Sequence, residues 1–251
     1  MDRKILAIGG GDIAALGQKS ETYEINKEIV ELSEKTNPNL LFIPTASSDS
    51  AIFYENIKIY FKKEFNCNVD RLQLIEERPT FDEIKCKIDN ADIIYVGGGN
   101  TLKMMTIWRR IGVDKLLIEA YEKGKVMCGS SAGGICWFEY GNSDSRKFTS
   151  NSNKLIKVSG LGVIKALNCP HYGQQECREQ SLKEMMKKVH KIVAIGVDEG
   201  VAIEIINDTY RIITSNENHF AYKVYWKNNQ YHKEKIACDK QFQNLSKLLK
   251  K

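Results

Sequence analysis

Short runs rich in apolar residues recur through the first half of the chain, most of them followed by glycine, proline or another turn signal. They lie at residues 5–8, 40–43, 69–74, 93–96 and 126–128. Apolar runs without polar alternation are typical of strands that are covered on both faces. Segments with a helical pattern lie between them, at residues 21–35, 50–65, 81–88 and 101–123. This order predicts an α/β fold with a mainly parallel sheet and helices on both faces.

After Tyr140 this alternation of strands and helices stops. The features that follow are a polar stretch at 141–153, a helix at 176–189, a strand at 192–197, hairpins at 201–214 and from 222 onward, and a short helix at 242–249. Because the chain has neither an internal repeat nor a linker rich in proline or serine, residues 1–251 are predicted to form one domain. A C-terminal extension of hairpin and helix begins at about residue 207, and we interpret it as either a sheet edge or a homodimer surface.

Composition narrows the classes of protein to consider. With 251 residues, 42% hydrophobic and 27% charged, the chain has ordinary globular usage. The net charge of +5 comes from scattered lysines, which predicts a solvated surface and no nucleic-acid partner. No apolar stretch approaches the roughly 18 residues of a membrane span, so no membrane partner is expected. The seven cysteines form no Cys-x-x-Cys pair and the first residues carry no signal-peptide pattern, which indicates a cytoplasmic protein with free thiols.

A cluster of small residues follows the strand at 126–128. Residues 129–133, GSSAG, fit the G-x-S-x-G pattern of a tight strand-to-helix turn that exposes a nucleophile, with a helix expected at 132–138. Ser131 holds the central position, whereas Ser130 is expected to support the turn or the substrate. The amide of Ala132 would point at an oxyanion. The competing interpretation is a glycine-rich turn that binds a phosphate or simply packs closely.

A serine nucleophile needs a base, and the chain has four histidines. His171 lies between Pro170 and Tyr172, in a segment between a predicted strand and a helix, which suits a rigidly held side chain. The other histidines, at 190, 219 and 232, are expected at a helix end, at turns or on exposed faces. The base also needs an orienting carboxylate. The acids of the Asp198-Glu199-Gly200 segment and Asp144 in the polar stretch remain alternatives from the residues alone.

The motifs together resemble a known family. Residues 95–101 (YVGGGNT), 129–133 (GSSAG), 168–172 (NCPHY) and 198–200 (DEG) are similar to the peptidase E group of serine peptidases, relatives of cyanophycinase. The resemblance covers Lys4 to about Ile205. It implies a flavodoxin-like sheet related to class I glutamine amidotransferases, and hydrolysis with no metal or organic cofactor.

The resemblance also implies roles for individual residues. Ser131 would be the nucleophile, His171 the general base and Glu199 the orienting acid. An amide of Gly98 or Gly99 would complete an oxyanion hole with that of Ala132. The order serine, histidine, glutamate differs from that of α/β-hydrolases, in which the acid precedes the histidine, and this disfavours a lipase or esterase.

The segment after the histidine departs from peptidase E. It keeps the Glu-x-Arg-Glu-Gln core at residues 176–180, but Ser181 replaces a further arginine, and Gln174 and Gln175 before the core are uncharged. Peptidase E prefers an N-terminal aspartate, whose acidic side chain needs basic partners. We therefore predict a dipeptidase or exopeptidase for small peptides, with at most a weakened preference for Asp-X substrates.

Three residues are predicted to contact the peptide substrate: Ser130, Asn100 and Arg178. If Arg178 projects from its helix toward Ser131, it would pair with a substrate carboxylate. The polar stretch at 141–153 is expected to wall off one side of the site.

Two other functions fit parts of the pattern. In a non-catalytic binding protein of the same fold, the glycine turns would cradle an anionic small molecule. Separations above about 6 Å between the serine, histidine and acid side chains would favour that function. In a cysteine-dependent amidotransferase, a cysteine would stand where this chain has Ser131, and Cys128 and Cys136 are instead expected in the core.

Overall fold

The computed structural model describes residues 1–13, 20–239 and 241–251, with the backbone alone at Glu176. The strands are β1 Lys4–Ile8, β2 Asn39–Ile43, β3 Asn68–Arg71, β4 Ile93–Val96, β5 Val126–Ser130, β6 Phe138–Ser143, β7 Ile156–Ser159, β8 Ile164–Pro170, β9 Ala194–Val197, β10 Val201–Ile206, β11 Thr209–Thr214, β12 Ala221–Lys227, β13 Gln230–Ile236 and β14 Gln243–Asn244. The helices are α1 Tyr23–Glu31, α2 Ala51–Phe65, α3 Phe81–Asn90, α4 Thr101–Ile111, α5 Val113–Glu122, α6 Ala132–Ile135, α7 Ser145–Ser150, α8 Glu176–Lys188 and α9 Leu245–Leu249. In this part of the chain no helix has the length and apolarity to cross a membrane.

The larger sheet has eight strands in the order β14-β11-β10-β1-β5-β4-β2-β3. Its strands from β1 to β3 in this order are all parallel, and β10, β11 and β14 add an antiparallel side. The prediction of an α/β fold with a mainly parallel sheet and added hairpins is therefore confirmed. Parallel strands need crossover helices, and the 3.6-residue patterns between the apolar runs supply them.

A second sheet of six strands has the order β13-β12-β9-β8-β6-β7. Its central strands β6, β8 and β9 are parallel, while β7, β12 and β13 are antiparallel to their neighbours. The apolar pattern does not separate it from the first sheet, because β8 and β9 carry buried runs like those of the parallel strands in the first sheet. In the C-terminal extension, β13 and β14 lie at the outer edges of the two sheets, and the homodimer surface stays a prediction.

Side chains of β1 alternate between two cores, as the period of a strand requires. Leu6 and Ile8 pack with residues of α1 and α2. Ile5 and Ala7 belong to a core that also contains residues of β9, including Val197. Apolar side chains therefore join the two sheets across one continuous interior, and α8 covers the far face of the second sheet with residues such as Leu182.

The helix predicted at 101–123 is two helices. Gly112, with φ of +81°, ends α4 and precedes α5. Glycine adopts this left-handed conformation without a Cβ penalty, so the chain can turn here while the apolar pattern continues.

The region after the nucleophile turn also differs from the prediction. The helix expected at 132–138 ends at Ile135, and Phe138 begins β6. Residues 141–153, expected as a loop, supply the end of β6 and then α7. Their polar composition is typical of an exposed segment, yet Ser143 and Ser145 are buried. The Ser143 hydroxyl bonds to the Thr101 hydroxyl at 3.0 Å and to the Ser145 hydroxyl at 2.8 Å. Internal hydrogen bonds satisfy these groups in place of water.

Candidate active site

Ser131 lies directly after β5, at the carboxyl edge of the parallel strands. Its backbone has φ of 55° and ψ of −110°, a strained conformation for a residue with a side chain. Its N–H donates to the Ile8 carbonyl at 3.0 Å. A Cβ at Gly129 would lie 2.5 Å from the Gly133 carbonyl oxygen, and one at Gly133 would lie 2.1 Å from that of Val96. The flanking glycines are therefore required for the turn to close.

His171 follows β8 in the second sheet, also with a positive φ, of 53°. Its N–H donates to the Gly9 carbonyl at 2.9 Å, which ties this turn to the end of β1. The ring Nε2 lies 2.8 Å from the Ser131 Oγ. A Cβ at Gly10 would lie only 2.4 Å from the ring Cε1, so the imidazole rests against bare backbone.

Glu199 lies on the short turn between β9 and β10, where the chain passes from the second sheet to the first. Its Oε1 is 2.6 Å from the Nδ1 of His171. The neighbouring Asp198 is buried, and its carboxylate accepts the N–H groups of Gly173 at 2.7 Å and Phe220 at 2.9 Å. Of the acids considered from the sequence, the structure brings Glu199 to the histidine.

The protonation of the histidine follows from its partners. A carboxylate only accepts hydrogen bonds, so the His171 Nδ1 carries the proton that Glu199 accepts. Burial lowers the pKa of His171 below its ordinary value, and the hydrogen bond with Glu199 opposes that shift. The neutral ring leaves the lone pair of Nε2 facing the Ser131 hydroxyl, which is the arrangement that a general base needs.

Gly98 and Ala132 are the backbone neighbours of the serine that bear on an oxyanion hole. Gly98 lies against Ser131, since a Cβ there would be 3.5 Å from the Ser131 Cβ. Gly99 has φ of +132° and packs on the carbonyl of Ala46. Within the described ranges, the N–H groups of Gly98, Gly99 and Ala132 donate to no backbone carbonyl. The amides of Gly98 and Ala132 are thus available as donors near Ser131, and the place of Gly98, Gly99 and Ala132 in an oxyanion hole stays a prediction.

Two of the predicted substrate residues have defined structural surroundings. Ser130 is the last residue of β5 and pairs with Ile8 in the sheet. Asn100 is buried, and its side-chain oxygen accepts the N–H of Lys103 at 3.0 Å, which caps the start of α4. The contacts of Asn100 give it a structural role, and substrate binding by either residue stays a prediction.

Arg178 is almost fully buried, with 1% of the residue exposed. Its guanidinium donates to the Asn142 carbonyl at 2.9 Å and to the Gln175 Oε1 at 2.9 Å, and its Nη2 lies 3.4 Å from the Asp144 Oδ2. Asp144, the alternative acid, therefore pairs with Arg178, whereas Glu199 is the acid that bonds to His171. Because protein oxygens already surround the guanidinium, the predicted pairing with a substrate carboxylate would require it to change partners.

Replacing Arg178 tests whether it stabilises the fold. Arg178→Ala leaves the Asn142 carbonyl and the Asp144 carboxylate without this partner, so we expect the free energy of unfolding to fall by about 2–4 kcal/mol. Urea denaturation measures the change. Lys187→Ala, which removes an exposed ion pair with Glu184 on the same helix, should change it by less than about 0.5 kcal/mol. Equal stability of the Arg178→Ala variant and the wild type would contradict the structural role.

The buried cysteines are poor candidates for a nucleophile. Burial raises the pKa of the Cys128 and Cys136 thiols well above their ordinary value, and that of Cys169 to about 12. Reactive cysteines need a stabilised thiolate, which these surroundings oppose. Across residues 1–13, 20–239 and 241–251, no group of three or more histidine, cysteine or acidic side chains is placed to hold a metal ion.

Three residues that touch this site were not predicted from the sequence. Gly10 faces the ring of His171, Gln174 accepts the N–H of Glu199 at 2.9 Å, and the His219 Nδ1 lies 2.6 Å from the Glu199 carbonyl oxygen. In the sequence, glycines 9–11 indicate only a turn after the first apolar run. Gln174 had appeared only as an uncharged position, because its partner lies on a distant turn.

Comparison with known proteins gives matches to a family, to named relatives and to solved structures. The model of peptidase family S51 matches residues 5–213. A Bacillus subtilis protein named uncharacterized peptidase YgaJ is 30% identical over 223 residues, which cover 88% of this chain and 92% of the relative. Peptidase E of Salmonella gallinarum is 29% identical over 126 residues, covering 48% of this chain and 53% of the relative.

Solved structures show the same fold. The crystal structure of a peptidase from an acI-B1 Actinobacterium superposes with a TM-score of 0.70 at 16% identity, covering 96% of each chain. A Listeria monocytogenes protein superposes with a TM-score of 0.63 at 20% identity, covering 85% of this chain and 99% of the other. The family match over most of the sequence, together with these relatives, shows that the chain belongs to peptidase family S51 and is a serine-type peptidase.

Proposed function

We propose that this peptidase hydrolyses small peptides through an acyl-enzyme formed on Ser131, with His171 as general base and Glu199 as the orienting acid. The observation that supports this most directly is the continuous line of contacts from the Ser131 Oγ to His171 at 2.8 Å and from His171 to Glu199 at 2.6 Å. A non-catalytic binding protein does not need a serine, a histidine and a carboxylate in successive contact. Both distances are far below the separation of about 6 Å that would favour it.

The proposed reaction has two steps. Ser131 Oγ attacks the peptide carbonyl carbon while His171 Nε2 takes the hydroxyl proton, and the carboxylate of Glu199 stabilises the imidazolium. His171 then returns the proton to the leaving amine as the C–N bond breaks. Water, deprotonated by the same ring, then attacks the ester carbonyl carbon; the bond to Ser131 Oγ breaks, His171 returns the proton to that oxygen, and the acid is released. The proposed chemistry consumes only water, so it requires no cofactor.

The oxyanion of each step would be held by backbone amides. We assign this role to the N–H of Ala132 together with that of Gly98 or Gly99, whose hydrogens are free of backbone partners in the described residues. Ala132 is also the first residue of α6, and backbone amides fixed in this way stabilise charge as it develops.

The proposed substrates are small peptides, as for a dipeptidase or exopeptidase, with no strict requirement for an N-terminal aspartate. The buried guanidinium of Arg178 is already paired with Asp144 and two other protein oxygens. An acidic substrate side chain would compete with these partners, and Ser181 offers no second positive charge in its place. The surroundings therefore favour neutral side chains at least as well as acidic ones.

A dipeptide panel tests this specificity. We expect kcat/KM for Asp-X to exceed that for Asn-X and Ala-X by less than about tenfold, since the buried guanidinium of Arg178 already has protein partners. The panel is Asp-Leu, Glu-Leu, Asn-Leu and Ala-Leu, with release of free leucine as the readout and the Ser131→Ala protein as the blank. Hydrolysis confined to Asp-Leu would contradict the proposed substrate class.

The pH dependence of the rate follows from the histidine. The ring acts as a base only when neutral, and burial lowers its pKa below the ordinary 6.5. We therefore expect kcat/KM to hold its plateau as the pH falls to 6.5 and to decline below it. Glu199→Gln removes the bond that raises this pKa, so the decline should move to still lower pH. A decline centred above pH 7 in the wild type would contradict the assignment of His171 as the base.

The cytoplasm is the compartment we propose for this activity. All seven cysteines of the chain are free in the structure, and Cys86, Cys177 and Cys238 are exposed. Exposed free thiols persist in a reducing compartment and are oxidised outside it.

A further inference from the structure

The backbone of Glu199 is bonded by side chains at both its N–H and its C=O. Its N–H donates to the Gln174 Oε1 at 2.9 Å, and its carbonyl accepts from the His219 Nδ1 at 2.6 Å. Gln174 comes three residues after His171, whereas His219 comes from the segment that joins β11 to β12. Two distant segments therefore hold the backbone of one residue.

His219 is itself held firmly. Its N–H donates to the Asn216 carbonyl at 3.1 Å. The next residue, Phe220, donates its N–H to the Asp198 carboxylate at 2.9 Å and accepts the N–H of Asp198 at 3.1 Å. The segment that carries the imidazole is thus bonded to the residue just before Glu199. Since a carbonyl only accepts, Nδ1 of His219 carries a proton.

The turn that carries Glu199 is anchored on either side of that residue, by the hydrogen bond from the Val201 N–H to the Asp198 carbonyl at 3.3 Å and by that from the Gly200 N–H to the Gly10 carbonyl at 3.0 Å, whereas Gln174 and His219 bond to Glu199 itself. Gly200 follows with φ of +68°, a conformation that glycine enters and leaves at little cost. The Glu199 side chain is one-third exposed and has several rotatable bonds, yet its Oε1 must stay 2.6 Å from the His171 Nδ1. Hydrogen bonds to the Glu199 N–H and C=O hold the peptide groups on both sides of its Cα and so restrict the backbone contribution to that freedom.

We propose that His219 and Gln174 are positioning residues that hold the Glu199 carboxylate in line with His171. This role rests on the proposed function, in which Glu199 orients the base. Neither residue touches the serine in this arrangement. Each acts through the Glu199 backbone, and His219 contributes the larger share because it is less exposed than Gln174 and its hydrogen bond is shorter.

The first test uses the rate at which a fluorophosphonate labels Ser131, because this needs no peptide substrate. In that step the serine oxygen bonds to phosphorus, fluoride leaves, and His171 receives the hydroxyl proton. His219→Ala should lower the second-order rate constant about tenfold, a typical coupling between neighbouring groups. His219→Asn places an amide N–H near the position of Nδ1 and should restore the rate to within about threefold of wild type. The exposed His190→Ala serves as the control.

The pH profile of labelling separates positioning from general weakening. If His219→Ala loosens the Glu199 carboxylate, His171 loses part of the contact that raises its pKa, and the acidic decline moves to lower pH. A smaller population of folded protein would lower the rate equally at every pH. A His219→Ala profile that is lowered without moving would overturn the proposal.

A double-mutant cycle supplies the decisive comparison. Glu199→Ala should slow labelling by about a hundredfold or more, and adding His219→Ala to it should change the rate by less than about twofold, because no carboxylate is left to position. Equal effects of His219→Ala in both backgrounds would overturn the inference alone. A Glu199→Ala protein that labels at the wild-type rate would overturn the proposed acid, and this inference with it.

Gln174 provides a second test if the His219 variants fold poorly. Gln174→Ala should lower the labelling rate by about threefold and lose this effect in the Glu199→Ala background. Gln230→Ala, an exposed glutamine at the β12–β13 turn, is the matched control. A Gln174→Ala protein that is slowed equally in both backgrounds would overturn the role of Gln174.

Discussion

Ser131→Ala is expected to abolish labelling by a fluorophosphonate and to lower peptide hydrolysis by about a thousandfold or more. The substitution removes only the hydroxyl group, whose Oγ lies 2.8 Å from the His171 Nε2, and alanine fits the space that serine leaves. The residual rate would come from the backbone amides and from substrate binding. Intact-protein mass spectrometry after labelling and release of leucine from Ala-Leu measure the two effects.

Ser130→Ala is the matched control for this substitution. Ser130 is adjacent, carries the same hydroxyl and ends β5, but His171 bonds to Ser131. The Ser130→Ala protein should still be labelled on one site, with a change in kcat/KM of less than about tenfold. Labelling that survives in Ser131→Ala and disappears in Ser130→Ala would show that the other hydroxyl is the nucleophile.

The second large effect is expected at a glycine with no chemistry of its own. Gly10→Ala would place a Cβ 2.4 Å from the Cε1 and 2.5 Å from the Nδ1 of His171, so the ring must move. A displacement of about 1 Å in a catalytic group costs on the order of a hundredfold in rate, and we expect at least that loss in kcat/KM. Urea denaturation and circular dichroism should show a folded protein.

Gly162→Ala separates this steric effect from backbone strain. Gly162 also has a positive φ, of +74°, but the nearest atom to its Cβ would be the Lys165 Nζ at 3.6 Å. Alanine there should cost about 1 kcal/mol of stability and leave the rate unchanged. If Gly10→Ala behaves like Gly162→Ala, the imidazole does not depend on the bare backbone beside it.

The first half of the fold was predictable because each parallel strand carries its own signal. Ile5–Ile8 and Ile93–Val96 are apolar throughout, and both are followed by three glycines. The second sheet was not separated from the first, because its strands carry the same apolar pattern and which strands pair depends on contacts far apart in the sequence. In residues 141–153, polar side chains that bond to one another inside the protein had the composition of an exposed loop.

The sequence predicts those parts of the candidate site that a local motif indicates. Ser131 is marked by its glycines, and His171 and Glu199 were implied by a resemblance, whereas the residues alone left Asp144 open. The structure places the Asp144 carboxylate on Arg178, a pairing across 34 positions of sequence that no local pattern reveals. Gly10 and His219 were not predicted for the same reason, since only the fold brings them to the histidine and the glutamate.

The proposed catalytic residues come from both sheets. Ser131 ends a strand of the first sheet, His171 ends a strand of the second, and Glu199 lies on the crossing between them. A serine hydroxyl is a weak nucleophile without an adjacent base, so the proposed mechanism needs both sheets in their observed places. A substitution that shifts one sheet against the other would therefore change the distance between Ser131 and His171 without altering either residue, so the proposed activity reports how the two sheets pack together.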